Sequence, residues 1–274
     1  MAFIPFFKMQ GSGNDFILID NRQKFLDADH LGDFVPRVCT RKVSVGADGL
    51  ILIEPSERAH FRWRFFNADG SEAEMCGNGG RCAARLAVIR GIAPPRLSFE
   101  TRAGIIECVV SGTRVGLQMV PPSEMQIDLH VNINGGEYGL HFINTGVPHA
   151  VQIVPDVARV NVADLGRKIR FHERFLPAGT NADFVQTIDR RRLKLRTYER
   201  GVEEETLACG TGAVASALIA AALGMVESPV DVETTGGETL TISFQRQGNG
   251  FERVFLEGET RIVYEGQLWE EAYR

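Results

Sequence analysis

The chain has no surplus of basic residues: 30 Lys and Arg stand against 35 Asp and Glu, for a net charge of −5. This balance disfavours a phosphate backbone as the partner, so we expect no nucleic-acid function. Five cysteines, an odd number, do not predict a disulfide framework and favour a reducing, cytoplasmic compartment. The sequence also lacks a CxxC pair, an HExxH motif and a His-rich cluster, so we predict no metal site.

No long apolar run is present either. The opening segment, MAFIPFFKMQGSGNDF, is briefly apolar, but it has no basic leader and no small-residue cleavage site. It is also too short to span a bilayer. We therefore expect neither a targeting segment nor a membrane partner for this chain of 274 residues, in which 44% of residues are hydrophobic and 24% charged.

The sequence does contain an internal repeat. Cys76-Gly-Asn-Gly79 recurs as Cys209-Gly-Thr-Gly212, 133 residues later. The same offset aligns Ala84 with Ala217, Ala87 with Ala220, Gly91 with Gly224, Glu100 with Glu233, Thr101 with Thr234 and Gly104 with Gly237. A weaker similarity joins residues 11–16 to residues 179–184. Two half-chains of related design follow, with a break near Pro121-Pro122.

Each half combines short β-rich runs with one apolar helix that starts after its Cys-Gly-x-Gly segment. The second helix, from residue 213, is apolar nearly all round, which predicts burial. We predict an α+β fold of two pseudo-symmetric lobes, each a mixed β-sheet or barrel wrapped around a central helix. The predicted lobes are 1–120 and 121–260, with a C-terminal strand at 261–274 that could pack back on the first lobe. The polar segment 162–175 is predicted to form helix on the outside.

A cysteine directly before a glycine-rich helix start lies beside unpaired N–H groups and the positive end of the helix dipole. Both favour thiolate, so the pKa values of Cys76 and Cys209 should fall unless apolar burial opposes them. The same N–H groups can hold a carboxylate. If pseudo-symmetry brings both cysteines to one substrate carbon, one thiolate can remove a proton while the opposite thiol supplies another. That scheme needs no cofactor.

These residues give the chain a resemblance, over its whole length, to the diaminopimelate epimerase family. The motifs that carry it are Lys8–Phe16, Asn67–Ser71, Met75–Cys82, Pro148-His149, Gly179–Asn181, Glu199–Gly201 and Ala208–Gly212. The resemblance implies interconversion of LL- and meso-2,6-diaminoheptanedioate, a small dicarboxylic diamino acid of lysine and peptidoglycan-precursor biosynthesis. It also implies a homodimer with Tyr264 at the subunit contact.

The resemblance assigns roles by position. Cys76 and Cys209 match the acid/base pair. The groups that hold the carboxylate at the reacting carbon match Gly77, Asn78, Gly210 and Thr211. Recognition of the rest of the substrate falls to Asn14, Asn67, Asn181 and Arg200, while His149 and Glu199 orient the ammonium or tune the thiols. Cys39, Cys82 and Cys108 are expected to be packing residues.

Two positions depart from the family pattern, and three alternative functions stay open. Val147 stands where the family often has Asn, and Gly49 stands where some members have Gln, so details of binding are expected to differ. A proline or hydroxyproline racemase uses paired cysteines on a related fold. An isomerase of the phenazine-biosynthesis type shares the fold but lacks the cysteine pair. A thiol redox module would use Cys76 and Cys209 without epimerisation.

Overall fold

The computed structural model describes residues 3–26 and 31–273, which form two compact units. The first unit runs to Leu117 and resumes at Gly258, and the second is Gln118–Glu257. The chain therefore leaves the first unit once and returns to it for its last strand. Among the described residues, no helix combines the length and apolar character that a membrane span requires.

The elements follow one another as β1 (Ile4–Gly11), β2 (Asn14–Asp20), α1 (Leu31–Cys39), β3 (Gly49–Glu54), β4 (Phe61–Asn67), β5 (Glu72–Ala73), α2 (Gly77–Ile89), β6 (Arg96–Thr101), β7 (Gly104–Ser111) and β8 (Arg114–Gln118). They continue as β9 (Ser123–Ile133), β10 (Gly136–Asn144), β11 (Pro148–Ile153), α3 (Val162–Arg170), β12 (Asn181–Asp189), β13 (Arg192–Glu199), β14 (Glu204–Thr206), α4 (Gly210–Ala222), β15 (Val230–Glu233), β16 (Thr239–Gln247), β17 (Gly250–Glu259) and β18 (Arg261–Leu268).

Strands pair in the same order in both units. The first unit has the order β18, β1, β2, β3, β4, β6, β7, β8. The second has β9, β10, β11, β12, β13, β15, β16, β17. In each, the second and third strands are antiparallel, the third and fourth parallel, and the fifth and sixth parallel again. This confirms the predicted α+β fold of two pseudo-symmetric mixed sheets, in which β18 takes the position that β9 has in the second unit.

Both sheets carry a helix on each face, and the two-residue period of a strand decides which helix a side chain meets. In β2, Phe16 and Leu18 join the apolar cluster of α2, whereas Ile17 and Ile19 join that of α1. In β12, Val185 packs with α4 and Phe184 with α3. Almost every residue of α4 is buried, as its all-round apolar sequence predicts, and α3 forms inside the segment 162–175.

Candidate active site

Each central helix begins directly after a cysteine. Cys76 precedes α2 with extended backbone angles of φ −144° and ψ 115°, and Cys209 precedes α4 with φ −121° and ψ 107°. Each sulfur lies beside N–H groups of the first turn that no helical carbonyl uses: those of Asn78 and Gly79 at Cys76, and that of Gly212 at Cys209. The predicted residues Gly77, Asn78, Gly210 and Thr211 are the first two residues of the two helices.

Burial raises the pKa of both thiols, so the lowering expected from the helix dipole does not prevail. At Cys76 the backbone N–H groups of Gly79 and Asn78 and the guanidinium of Arg81 oppose this rise. At Cys209 the carboxylates of Glu199 and Asp183 add to it, while Thr211 and the Gly212 N–H oppose it. The two thiols therefore have similar backbone surroundings, but the largest charge effect comes from a cation, Arg81, at Cys76 and from carboxylates at Cys209.

In the first unit, side chains near α2 form a continuous hydrogen-bonded row. Asn78 Nδ2 donates to Asn14 Oδ1 at 2.6 Å, and Asn14 Nδ2 donates to Asp48 Oδ2 at 3.1 Å. Arg81, only 1% exposed, donates to Asn78 Oδ1 at 3.0 Å and to Ser12. The structure thus brings together Asn14 and Asn78, which the resemblance places in substrate recognition and carboxylate binding. Arg81 was not predicted, although an arginine inside a largely apolar helix sequence is a recognisable signal.

Asn67 ends β4 beside this row, because the N–H of the next residue, Ala68, donates to the Asp48 carbonyl at 3.1 Å. The Asn67 amide donates to Ser71 Oγ at 3.0 Å, and Asn67 is the cross-strand partner of Gly49 on β3. A Cβ on Gly49 would lie 2.5 Å from both the Phe65 ring and the Phe66 carbonyl oxygen. The position therefore has no room for the Gln found in some family members, which explains this departure by local packing.

The second unit holds a buried polar chain that leads away from Cys209. Thr211 Oγ1 lies 3.6 Å from Cys209 Sγ and 3.0 Å from His149 Nε2. His149 Nδ1 lies 2.6 Å from Asp183 Oδ2, and Thr197 Oγ1 donates to Asp183 Oδ1 at 2.7 Å. The side chains of His149 and Asp183 are completely buried. His149 and Thr211 were predicted site residues, and the structure links both to Cys209.

Sequence reasoning missed Asp183 and Thr197. The available signal was an acidic residue among the apolar residues Ala182, Phe184 and Val185, because a buried carboxylate needs partners. The similarity between residues 11–16 and 179–184 was misleading, because it matched two segments that do not occupy equivalent positions in the two units. Asn14 starts β2, whose counterpart by pairing order is β11, whereas Asn181 starts β12, the counterpart of β3.

Asn181 and Arg200 also meet. Asn181 is 3% exposed; its Nδ2 donates to the Pro148 carbonyl at 2.9 Å, and its Oδ1 accepts from the Arg200 backbone N–H at 2.8 Å. The half-buried Arg200 side chain donates to the Ala178 carbonyl at 3.1 Å. Asn181 therefore holds the turn from which Arg200 projects. Glu199, the preceding residue, is half-buried, and burial raises the pKa of its carboxyl.

The remaining predicted positions lie outside these networks. Val147 is half-buried just before β11, and its carbonyl accepts from the Thr145 N–H at 3.1 Å. Tyr264 on β18 is 45% exposed, with its ring 5.9 Å from that of Phe6. All five cysteines are free thiols. Within residues 3–26 and 31–273, no three His, Cys, Asp or Glu side chains converge as a metal site would require.

Known proteins match the chain over nearly its whole length. The family model described as diaminopimelate epimerase matches residues 6–123 and 141–263. The diaminopimelate epimerase of Aquifex aeolicus is 50% identical over 279 residues, covering 98% of this chain and 99% of that protein. That of Hydrogenobaculum sp. is 48% identical, covering 95% and 97%, and that of Chlorobaculum tepidum is 44% identical, covering 95% and 99%.

Solved structures extend the likeness at lower identity. A phenazine biosynthesis protein of the PhzF family from Bacillus anthracis aligns with a TM-score of 0.71 at 15% identity, covering 98% of this chain and all of that one. A hydroxyproline epimerase from Agrobacterium vitis aligns with a TM-score of 0.66 at 15% identity, covering 98% and 93%. At such identity the likeness concerns the fold alone.

The thiol environments predict an order of reactivity. Burial raises the pKa of Cys39, Cys82 and Cys108 to about 12. Since the thiolate is the nucleophile and forms only as the pH approaches the pKa, about one in 10⁴ of these thiols is ionised at pH 8. Cys76 is half-buried, with Arg81 and two N–H groups beside it. We expect iodoacetamide to modify Cys76 before these three in the native protein at pH 8.

Peptide mass spectrometry after a short exposure measures this order, and urea-denatured protein, in which all five cysteines should react, is the control. Native labelling of Cys82 or Cys108 at the rate of Cys76 would contradict the assignment.

Proposed function

The chain belongs to the diaminopimelate epimerase family, and on that premise we propose that it interconverts LL- and meso-2,6-diaminoheptanedioate in lysine and peptidoglycan-precursor biosynthesis. One observation of this molecule supports the proposal above others. Two sheets with the same pairing order each surround a helix that starts directly after a cysteine. Inversion of one carbon needs a proton donor and a proton acceptor, and such a repeat supplies two thiols in matching positions of the two units.

In this proposal Cys76 and Cys209 are the acid/base pair. For one substrate isomer, one thiolate takes the α-proton while the other thiol delivers its own proton to the opposite face. After the reaction, the cysteine that began as the thiolate is a thiol and the other is a thiolate. The enzyme in this state is ready for the reverse reaction, which starts from the product. The carboxylate at the reacting carbon gains enolate character between the two transfers. The first-turn N–H groups at Gly77, Asn78, Gly210 and Thr211 are suited to that charge, because helix N-termini bind anions.

Recognition of the distal end is assigned to Asn14, Asn67, Asn181 and Arg200. Arg200 presents a planar fork of donors that fits a carboxylate at two points. Asn181 contributes through the Arg200 backbone, since both ends of its amide are already bonded within the protein. His149 and Glu199 orient the ammonium or tune Cys209. Glu199 suits the second role, because its carboxylate disfavours the thiolate of Cys209.

The alternatives find less support. The matching racemase and phenazine-type structures share only 12% to 16% identity with the chain. Relatives named diaminopimelate epimerase share 36% to 50%. A redox module would not transfer an α-proton, so proton exchange with solvent separates it from the proposal.

Replacing Cys76 or Cys209 by Ala removes either the acid or the base. Because each contributes about 10²- to 10⁴-fold, each variant should lose at least that factor in kcat in both directions. The measurement is epimerisation of diaminopimelate in D₂O, with deuterium at the α-carbon followed by NMR. In the wild type, deuterium should appear in the product before it appears in the remaining substrate. Cys108→Ala, a buried thiol on β7, is the matched control and should keep normal turnover.

Near-normal turnover of Cys76→Ala or Cys209→Ala would refute the two-base assignment. Exchange into neither substrate nor product of the wild type would favour the redox module.

Arg200→Lys keeps the charge but loses the two-point fork. A charged hydrogen bond is worth about 1.5–3 kcal/mol, so kcat/KM should fall roughly 10- to 100-fold. Arg192→Lys is the control on β13, the strand that ends just before Arg200, since Arg192 is exposed and bonds to Asp189. The comparison is made by steady-state kinetics. Equal kcat/KM for both variants would remove Arg200 from distal recognition.

We further propose a cytoplasmic homodimer that uses β18. Val263 and Tyr264 are 57% and 45% exposed on this strand, an apolar surface suited to a second copy. Tyr264→Ala should therefore shift the protein from dimer to monomer at micromolar concentration in sedimentation velocity. Phe171→Ala, with 48% exposure in the second unit, is the control and should leave the dimer intact. A monomeric wild type would contradict the proposal.

A further inference from the structure

The buried pair of His149 and Asp183 has a role that the assignment of Cys76 and Cys209 as acid and base does not explain. We infer that Asp183 is a positioning residue: it holds His149 in the tautomer that carries its proton on Nδ1, so that Nε2 can accept the proton Cys209 releases through the Thr211 hydroxyl. The inference rests on the proposed role of Cys209 as one of the two acid/base groups.

The tautomer follows from the donors and acceptors present. An ionised carboxylate has no proton to give, so in the 2.6 Å contact with Asp183 Oδ2 the proton lies on His149 Nδ1. A neutral imidazole then has an acceptor at Nε2. That atom lies 3.0 Å from Thr211 Oγ1, whose hydroxyl can donate to it. The oxygen of the same hydroxyl is left to accept from the Cys209 thiol at 3.6 Å.

Asp183 is held in place from two sides. Thr197 lies opposite it on β13 and donates to Oδ1 at 2.7 Å, so Oδ2 is directed to His149. The first turn of α4 closes the other side: a Cβ on Gly212 would lie 2.6 Å from Asp183 Oδ1 and 3.2 Å from Thr197 Oγ1. The carboxylate therefore has one orientation, which is what setting a tautomer requires.

The first unit shows that the fold does not need this polar chain. The strand positions that match His149, Asp183 and Thr197 are occupied there by Phe16, Ile51 and Phe65. Those three residues belong to the apolar cluster around α2. Ile51 even meets Gly79 as Asp183 meets Gly212, since a Cβ on Gly79 would lie 3.0 Å from Ile51 Cδ1. Buried polar side chains at positions where apolar side chains pack in the first unit indicate a function other than packing.

The proton path balances. When Cys209 is to act as the base, its S–H proton passes to Thr211 Oγ1 while the Thr211 hydroxyl proton passes to His149 Nε2. This leaves a thiolate and an imidazolium, and the Asp183 carboxylate stabilises the imidazolium. The reverse shift restores the thiol when Cys209 is to act as the acid. Glu199 is a further titratable group near this chain, and its charge disfavours the thiolate of Cys209, an effect that the imidazolium would offset.

Asp183→Asn tests the role with almost no change in volume. The amide can present its NH₂ group to His149 Nδ1, which moves the imidazole proton to Nε2. A wrong tautomer of this kind costs up to about 10⁴-fold in kcat, so we expect a loss of at least about 100-fold with little change in KM. Thr197→Val is the matched control: it removes the other bond to Asp183 but leaves the contact with Nδ1, so its kcat should fall less than about 10-fold.

¹⁵N NMR of histidine-labelled protein reads the tautomer directly, with the His149 signals assigned by their loss in His149→Gln. We expect Nδ1–H in the wild type and in Thr197→Val, and Nε2–H in Asp183→Asn. A purely structural role for Asp183 would not move this signal. Because the NMR result does not depend on diaminopimelate, it separates a failure of this inference from a failure of the proposed reaction.

If Asp183→Asn does not fold, Thr211→Val provides the second test. It should lower kcat at least about 100-fold while His149 keeps Nδ1–H, since only the hydroxyl link is lost. Wild-type protein with Nε2–H, or normal kcat in folded Asp183→Asn or Thr211→Val, would overturn the inference.

Discussion

The close approach of each central helix to the strands beside its first turn is the contact on which the rest of this molecule depends. An added Cβ would lie 3.0 Å from Ile51 Cδ1 at Gly79 and 2.6 Å from Asp183 Oδ1 at Gly212. At Gly212 a side chain would force the buried Asp183 carboxylate to move, and at Gly79 the end of the Ile51 side chain would have to give way. Because the cysteine stands three residues earlier, the same contact places each sulfur at the helix N-terminus, where backbone N–H groups are unpaired.

The two units have the same strand order, but different side chains surround their cysteines. In the first unit, Arg81 supplies a positive charge near Cys76, and the strands facing α2 are apolar. In the second, Asp183 and Glu199 supply negative charge near Cys209, and a histidine and a threonine connect that thiol to Asp183. The internal repeat therefore supplies two thiols in equivalent positions, and the differences in side chains between the two units make the environments of the thiols unequal. A proton-transfer pair whose members must exchange roles gains from such independent control of each member.

Comparison of the expected and observed site shows where sequence reasoning works. The Cys-Gly-x-Gly repeat predicted the two central helices and the paired units, although each helix begins at the first glycine of the segment and not after it. The apolar sequence of the second helix predicted its burial. The lowered thiol pKa values were not observed, because burial outweighs the helix dipole and burial depends on what packs around the sulfur. The similarity of residues 11–16 and 179–184 misled for a related reason: glycine, asparagine and aspartate recur wherever a strand begins after a turn, whatever its place in the sheet.

Some features of this protein follow from its sequence alone, and others depend on its tertiary structure. The order of elements, the internal repeat and the chemical identity of Cys76 and Cys209 follow from residue types at fixed spacings along the chain. The link from Cys209 through Thr211 and His149 to Asp183 does not, because it joins α4, β11 and β12, and no spacing states which strands become neighbours. Parallel pairing of β11 with β12 brings those residues within hydrogen-bonding distance. The sign of the charge near Cys76 is set locally, because Arg81 lies on the same helix, α2. The charge near Cys209 depends on packing, since Asp183 and Glu199 lie on β12 and β13.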